Sequence, residues 1–244
     1  MYEYRRLTPE QRAEIVQQRL AKGYPPHSPP HPIQDQAFYL LTAACYEHKC
    51  HIKSEERRKQ LLDLLFEQFT DRGVELRGWV ILPNHYHVLV YLGDFDEGLS
   101  PHYKQDKHAC SKGFSPYEQI GKVLQRVHGS TSRQWNLEDH AVGRKVWYAY
   151  SDRAIRSERH YYTTLNYIHY NPVKHEWSKS PYEWICSSVH WYLEQQGRDF
   201  LRDAWVRYPI KDYGREWDEF LMPEHASLKR ELQTYSGEDL WQSE

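Results

Sequence analysis

The chain has 244 residues, 39% of them hydrophobic and 27% charged, which is enough apolar material for one sizeable core with decorated ends. No apolar run approaches the roughly 20 residues of a membrane helix, and the opening MYEYRRLTPEQRAE lacks a signal peptide's apolar stretch. These features exclude a membrane-spanning chain and point to the cytoplasm. The formal net charge of −2 hides an uneven distribution: residues 122–179 carry ten Lys/Arg against five Asp/Glu, and residues 212–244 carry three against nine. That asymmetry permits a polyanion-binding body with an acidic tail, and solvated charged faces would give it equally.

In chain order, Thr8-Pro9-Glu10-Gln11 has the capping-box pattern of a helix start, and the helix it opens runs to a glycine cap at Gly23. YPPHSPPHP follows as an extended connector. QAFYLLTAACYEH has the aromatic and apolar density of a buried strand. SEERRKQLLDLLFEQFTDRG places Leu61, Leu62, Leu65, Phe66 and Phe69 on one helical stripe and ends at Gly73. VELRGWVIL and HVLVYL read as a hairpin joined at Pro83-Asn84, and residues 93–116 as a polar surface insertion. PYEQIGKVLQRVHGSTSRQWNLE predicts a helix, KVWYAY a short strand, and RSERHYYTTLNYIHY a helix stopped near Asn171 by Pro172. The order predicts an α+β fold: a ferredoxin-like split βαβ antiparallel sheet with helices on one face, the other face free for a ligand, and an extra helix beyond the last strand. The predicted organisation is a helix and connector over 1–35, a core domain over 36–176, and an extension with an acidic tail over 177–244. The four cysteines (Cys45, Cys50, Cys110, Cys186) are too scattered for a disulfide framework, and Cys45 and Cys50 with His48 and His51 match no zinc spacing.

The chemistry is concentrated in LPNHYHVLVYL. Side chains two apart on a strand share a face, so His85 and His87 stand side by side while Tyr86 points the other way. Two imidazoles at that spacing can converge on a cation, although a histidine on an apolar strand more often has a structural role. A third donor is available in LNYIHYNPVKH, where Tyr167 and Asn171 lie four apart on a predicted helix and share a face. If that helix lies across the histidine strand, Asn171 offers a carbonyl oxygen and Tyr167 hangs over the ion. Two neutral nitrogens and one neutral oxygen leave coordination positions open for phosphate and water, which suits Mg²⁺ or Mn²⁺.

LPNHYHVLV followed by LNYIHYNPVKH resembles the signature of the REP-associated tyrosine transposases, in the single-tyrosine branch of the HUH endonuclease superfamily. The likeness extends over roughly residues 36–192 and takes in LQRVHGSTSRQWN, VWYAYSDRAIRSERHYY and SPYEWICSSVHW. It implies a ferredoxin-like nuclease domain, a divalent metal held by His85, His87 and Asn171, and Tyr167 as nucleophile. The implied activity is metal-dependent cleavage and transfer of single-stranded DNA at hairpin or palindromic repeats through a 5′-phosphotyrosine intermediate. The implied setting is the nucleoid of a bacterial cytoplasm, with the protein a monomer or homodimer. Candidate DNA contacts are Arg126, His128, Ser130, Thr131 and Arg133 on the second predicted core helix, with Lys145, Arg153 and Arg156 enlarging the basic region. Two rival readings remain: a non-catalytic single-stranded nucleic-acid binding module of RRM-like topology, and a domesticated palindrome-binding host protein. The acidic tail, with Trp217, Phe220 and Leu221, is a candidate to cover the DNA groove or to pack on a neighbour.

Overall fold

The fold is taken from a computed structural model that describes residues 38–92 and 116–215, together with Thr8, Glu10, Gln11, Glu14, Gln17 and Leu228. The chain divides into two compact units, 1–35 and 36–244. In the first, Gln11 N–H donates to Thr8 Oγ1 (3.3 Å) and Thr8 N–H donates to Gln11 Oε1 (2.9 Å), the reciprocal box that this sequence dictates. The proline-rich connector, the insertion through residue 115, and Trp217, Phe220 and Leu221 of the tail lie outside the described residues.

The second unit runs β1 (Phe38–Ala44), α1 (Glu55–Thr70), β2 (Glu75–Ile81), β3 (His85–Tyr91), α2 (Pro116–Glu138), β4 (Ser151–Ala154), α3 (Glu158–Lys174) and α4 (Val189–Arg207). The strands form one antiparallel sheet in the order β2-β3-β1-β4, the split βαβ arrangement of an α+β domain. Ser54 caps α1 by accepting from Arg57 N–H, and Leu61, Leu65 and Phe69 of that helix are buried. With α2 it covers the sheet face to which Tyr86 and Val88 point, where Trp135 and Trp147 complete the core.

The other face is not open. α3 lies across β2 and β3, and Gly78 sets how closely it does so: a Cβ there would come within 2.9 Å of Leu165 Cδ1. The absent side chain lets the helix settle directly above the histidine side of β3. Neither the expected free face nor the open sheet of an RRM-like platform is present on β2–β3.

Two further expectations are corrected. KVWYAY is not the fourth strand, which begins six residues later at Ser151. Trp147 is drawn into the core between Tyr86 and Trp135, so this stretch makes a single bridge, Trp147 to Cys45, one residue out of register with the β1–β4 ladder that pairs Thr42 with Ser151. Nor does Pro172 end the last helix of the core. α3 continues to Lys174, with His175 N–H bonded to Asn171 O, because Ile168, Asn171 and Pro172 are buried and packing outweighs one missing donor. Beyond it, α4 is joined to α3 by Asn166, whose side-chain amide donates to the carbonyls of Ala204 and Tyr208.

Candidate active site

The strand and the helix bring four side chains to one point. His85 and His87 project from β3 with ring centroids 5.1 Å apart, and the Tyr167 ring centroid lies 5.2 Å from that of His87. Asn171 Oδ1 is 3.1 Å from His85 Nε2, and the Tyr167 hydroxyl is 3.5 Å from His87 Nε2, a long contact. All four residues are at most 2% exposed.

Each imidazole is held from behind. His87 Nδ1 lies 2.7 Å from Thr42 Oγ1, its partner across the β1–β3 ladder, and His85 Nδ1 lies 2.8 Å from Asn84 Oδ1. The Asn84 carbonyl oxygen can only accept, so His85 Nδ1 carries the proton and its Nε2 directs a lone pair into the site; where the Thr42 hydroxyl accepts from His87 Nδ1–H, His87 Nε2 does the same, the usual arrangement behind a metal-ligating histidine. For His85 this sets a nitrogen lone pair against the Asn171 carbonyl oxygen with no proton between them. Asn171 Nδ2 is buried without a hydrogen-bond partner. An unsatisfied buried amide costs about 1–3 kcal/mol, so the cluster is poorly arranged for stability and well arranged for a cation. Two imidazole nitrogens and an amide oxygen fit a hard or borderline divalent ion. Among the described residues no group of three or more His, Cys, Asp and Glu is placed to hold a metal ion, so a cation here would depend on the Asn171 amide beside the two imidazoles.

Tyr167 is covered from the solvent side by a strap formed by residues 210–215. Gly214 (φ +77°) lies against its ring so closely that a Cβ would come within 2.2 Å of a ring carbon. Tyr213 stands edge-on to Tyr167, with centroids 5.6 Å apart. His160 Nδ1 accepts from Arg156 N–H, so Nε2 donates to the Tyr213 oxygen (3.2 Å), and the Tyr213 and Thr164 hydroxyls share a hydrogen bond of 2.5 Å. Burial lowers the His160 pKa, with Arg153 and Arg156 adding to the effect, and burial raises that of Tyr213; both are neutral at this contact. The strap and its glycine were not apparent from sequence.

The candidate DNA contacts divide between surfaces. Thr131 is fully buried, donating to Val127 O and accepting from Trp147 Nε1–H, so its hydroxyl serves the core. His128 is turned inward, with Nε2 2.8 Å from the Tyr86 hydroxyl and its ring stacked on Trp147 at 4.5 Å. Arg126, Ser130 and Arg133 are exposed on α2, the helix that covers the opposite face of the sheet. Lys145 is exposed, its ammonium 4.6 Å from the Tyr46 ring. Arg153 is exposed on edge strand β4 opposite Leu40, which places it on the same sheet face as His85 and His87; Arg156 is exposed just beyond it.

No profile of a known protein family matches the chain. It is 28% identical over 169 residues to the REP-associated tyrosine transposase of Escherichia coli K12, covering 65% of this chain and 79% of that protein. A Haemophilus influenzae protein assigned provisionally to the same transposases is 28% identical over 110 residues, 45% of this chain and 56% of that one. A solved structure of a REP-associated tyrosine transposase bound to a REP hairpin is 21% identical, covers 70% of this chain and 88% of that one, and gives a TM-score of 0.48.

Proposed function

We propose that this chain, a relative of the REP-associated tyrosine transposases, is a single-stranded DNA endonuclease and strand transferase that acts at hairpin-forming sequences. The observation that carries the reading is the convergence of Tyr167, His85, His87 and Asn171 from two elements at one buried point.

His85, His87 and Asn171 would hold the cation, with Asn84 and Thr42 fixing the rings so that Nε2 faces it. A Mg²⁺ or Mn²⁺ ion bound there supplies Lewis-acid polarisation of the scissile phosphate. Tyr167 is the nucleophile: its oxygen forms a bond to phosphorus, the bond from phosphorus to the 3′ oxygen breaks, and the phenolic proton ends on the released 3′-OH. The product is a 5′-phosphotyrosine ester. Because the ester keeps the bond energy, a second 3′-OH can reverse the step and join strands without ATP. Tyr167 reaches a phosphate only after residues 213–214 leave its ring, so the described arrangement is a closed state.

The test is incubation of the purified chain with a hairpin-bearing single-stranded oligonucleotide and Mn²⁺, followed by a denaturing gel. A protein–DNA band lost with EDTA and in His87→Ala supports the reading. Binding without any covalent product, indifferent to EDTA, contradicts it.

A further inference from the structure

The stripe of α3 that carries Tyr167 continues beyond Asn171. Positions 160, 164, 167, 171 and 174 recur at spacings of three and four and face the same way along the helix. The strap runs along this stripe. Tyr213 meets His160 and Thr164, Gly214 lies on the Tyr167 ring, and the Gly214 carbonyl accepts from Lys174 Nζ at 2.6 Å. The Lys174 ammonium is 5.1 Å from the Tyr167 ring centroid. Beside it a groove of about 420 Å³ is lined by Tyr170, Lys174, Lys211 and Arg215, with Asp212 bonded to Arg215 at 3.2 Å.

We propose that Lys174 binds a backbone phosphate of the DNA strand next to the nucleophile, and that the Gly214 carbonyl takes the place of that phosphate's oxygen when no strand is bound. The inference rests on the reading of Tyr167 as nucleophile. An ammonium offers donors only, and a carbonyl oxygen and a non-bridging phosphate oxygen are interchangeable acceptors for it. The phosphate brings a full negative charge and a stronger, charge-assisted bond. The DNA therefore exchanges with the strap along the helix stripe, lysine contact for lysine contact. The exposed ring of Tyr170, on the same helix and independent of the strap, offers a surface for a base to stack on. Because Lys174 touches both strap and strand, removing it has two opposed effects, and the test must separate them.

Gly214→Ala separates them, since its added methyl cannot fit against Tyr167 and dislodges the strap without altering the lysine. Full-length Lys174→Ala, Lys174→Arg, Gly214→Ala and the two doubles are compared for equilibrium binding of a hairpin-bearing oligonucleotide, from roughly 50 to 300 mM NaCl in EDTA. Adduct rate with Mn²⁺ is followed in parallel against DNA concentration. In the Gly214→Ala background, Lys174→Ala weakens binding about tenfold, lowers the slope of log affinity against log salt by about one, and raises KM more than it lowers kcat; Lys174→Arg restores most of the loss. Equal affinity and equal slope in Gly214→Ala and Lys174→Ala/Gly214→Ala overturn the proposal and leave Lys174 as an anchor for the strap. Binding of the DNA without an adduct in the wild-type chain and in Gly214→Ala alike overturns the nucleophile reading alone, since the slope comparison still decides the lysine. A wild-type chain that does not bind overturns both.

Discussion

The two polar groups of the Asn171 side chain are unequally served: the carbonyl oxygen faces His85 Nε2 at 3.1 Å and the amide nitrogen has no partner, all at zero exposure. In a residue selected for packing this would be a fault. We expect Asn171→Leu to leave metal-free stability unchanged or to raise it by about 1 kcal/mol, while abolishing adduct formation. Thermal unfolding in EDTA checks this, and a loss above about 2 kcal/mol would make Asn171 structural. His128 behaves in the opposite way. Burial holds its pKa down at about 3, and it is neutral against Tyr86 and Trp147. Between about pH 6.5 and pH 3 the unfolded chain binds a proton that the folded chain refuses, so this stability is complete above 6.5 and fades as pH falls. At pH 5 the loss amounts to about 2 kcal/mol, and His51, held at about 4 mainly by burial, adds in the same direction. The melting temperature should fall from pH 7.5 to pH 5, and His128→Gln should flatten that fall; an unchanged profile would contradict it. Since His128 faces inward, the same substitution should leave the salt dependence of DNA binding intact.

At the scale of elements, the site depends on how α3 is set down and on what lies over it. Gly78 lets the helix approach β2, and Gly214 lets the strap approach the helix. Gly214→Ala should raise the initial rate of adduct formation several-fold, because it unseats the strap from Tyr167 and leaves the cation donors untouched. A stopped-flow or quenched time course reads this directly; an unchanged or slower rate would mean the strap does not limit access. The histidine strand, the hairpin and the Tyr-Asn helix face were legible because each follows from a local period, two for a strand and 3.6 for a helix. The strap was not, since its docking on Tyr167 is a long-range fit with no periodic signal. KVWYAY and Pro172 depart from their local cues for a related reason: aromatic density suggests a strand and proline a helix end, but the core takes Trp147 for packing and keeps α3 intact through the proline. Lys174 lies seven residues beyond Tyr167, a spacing visible in the sequence, but without the strap carbonyl nothing distinguished it from the other lysines.

For the whole molecule, the sheet separates the basic residues that the sequence grouped together. Arg126 and Arg133 sit on α2 over one face, whereas Arg153 lies on the face of His85 and His87. On the proposed reading, a DNA strand that reaches Tyr167 would run past the second group. Arg153→Ala should therefore weaken hairpin binding several-fold and lower the salt slope by about one, and Arg126→Ala should do neither. Equal effects would place the DNA on both faces. The same division explains why total charge said little about function, since the polyanion surface is set by which face each cation occupies. The chemistry proposed for the site comes down to the identity of one covalent bond. Digesting the adduct formed with hairpin DNA and Mn²⁺, and sequencing the nucleotide-bearing peptide by mass spectrometry, should place the phosphodiester on Tyr167. A phosphate on Tyr170 or Tyr213, or no linked peptide at all, would contradict it.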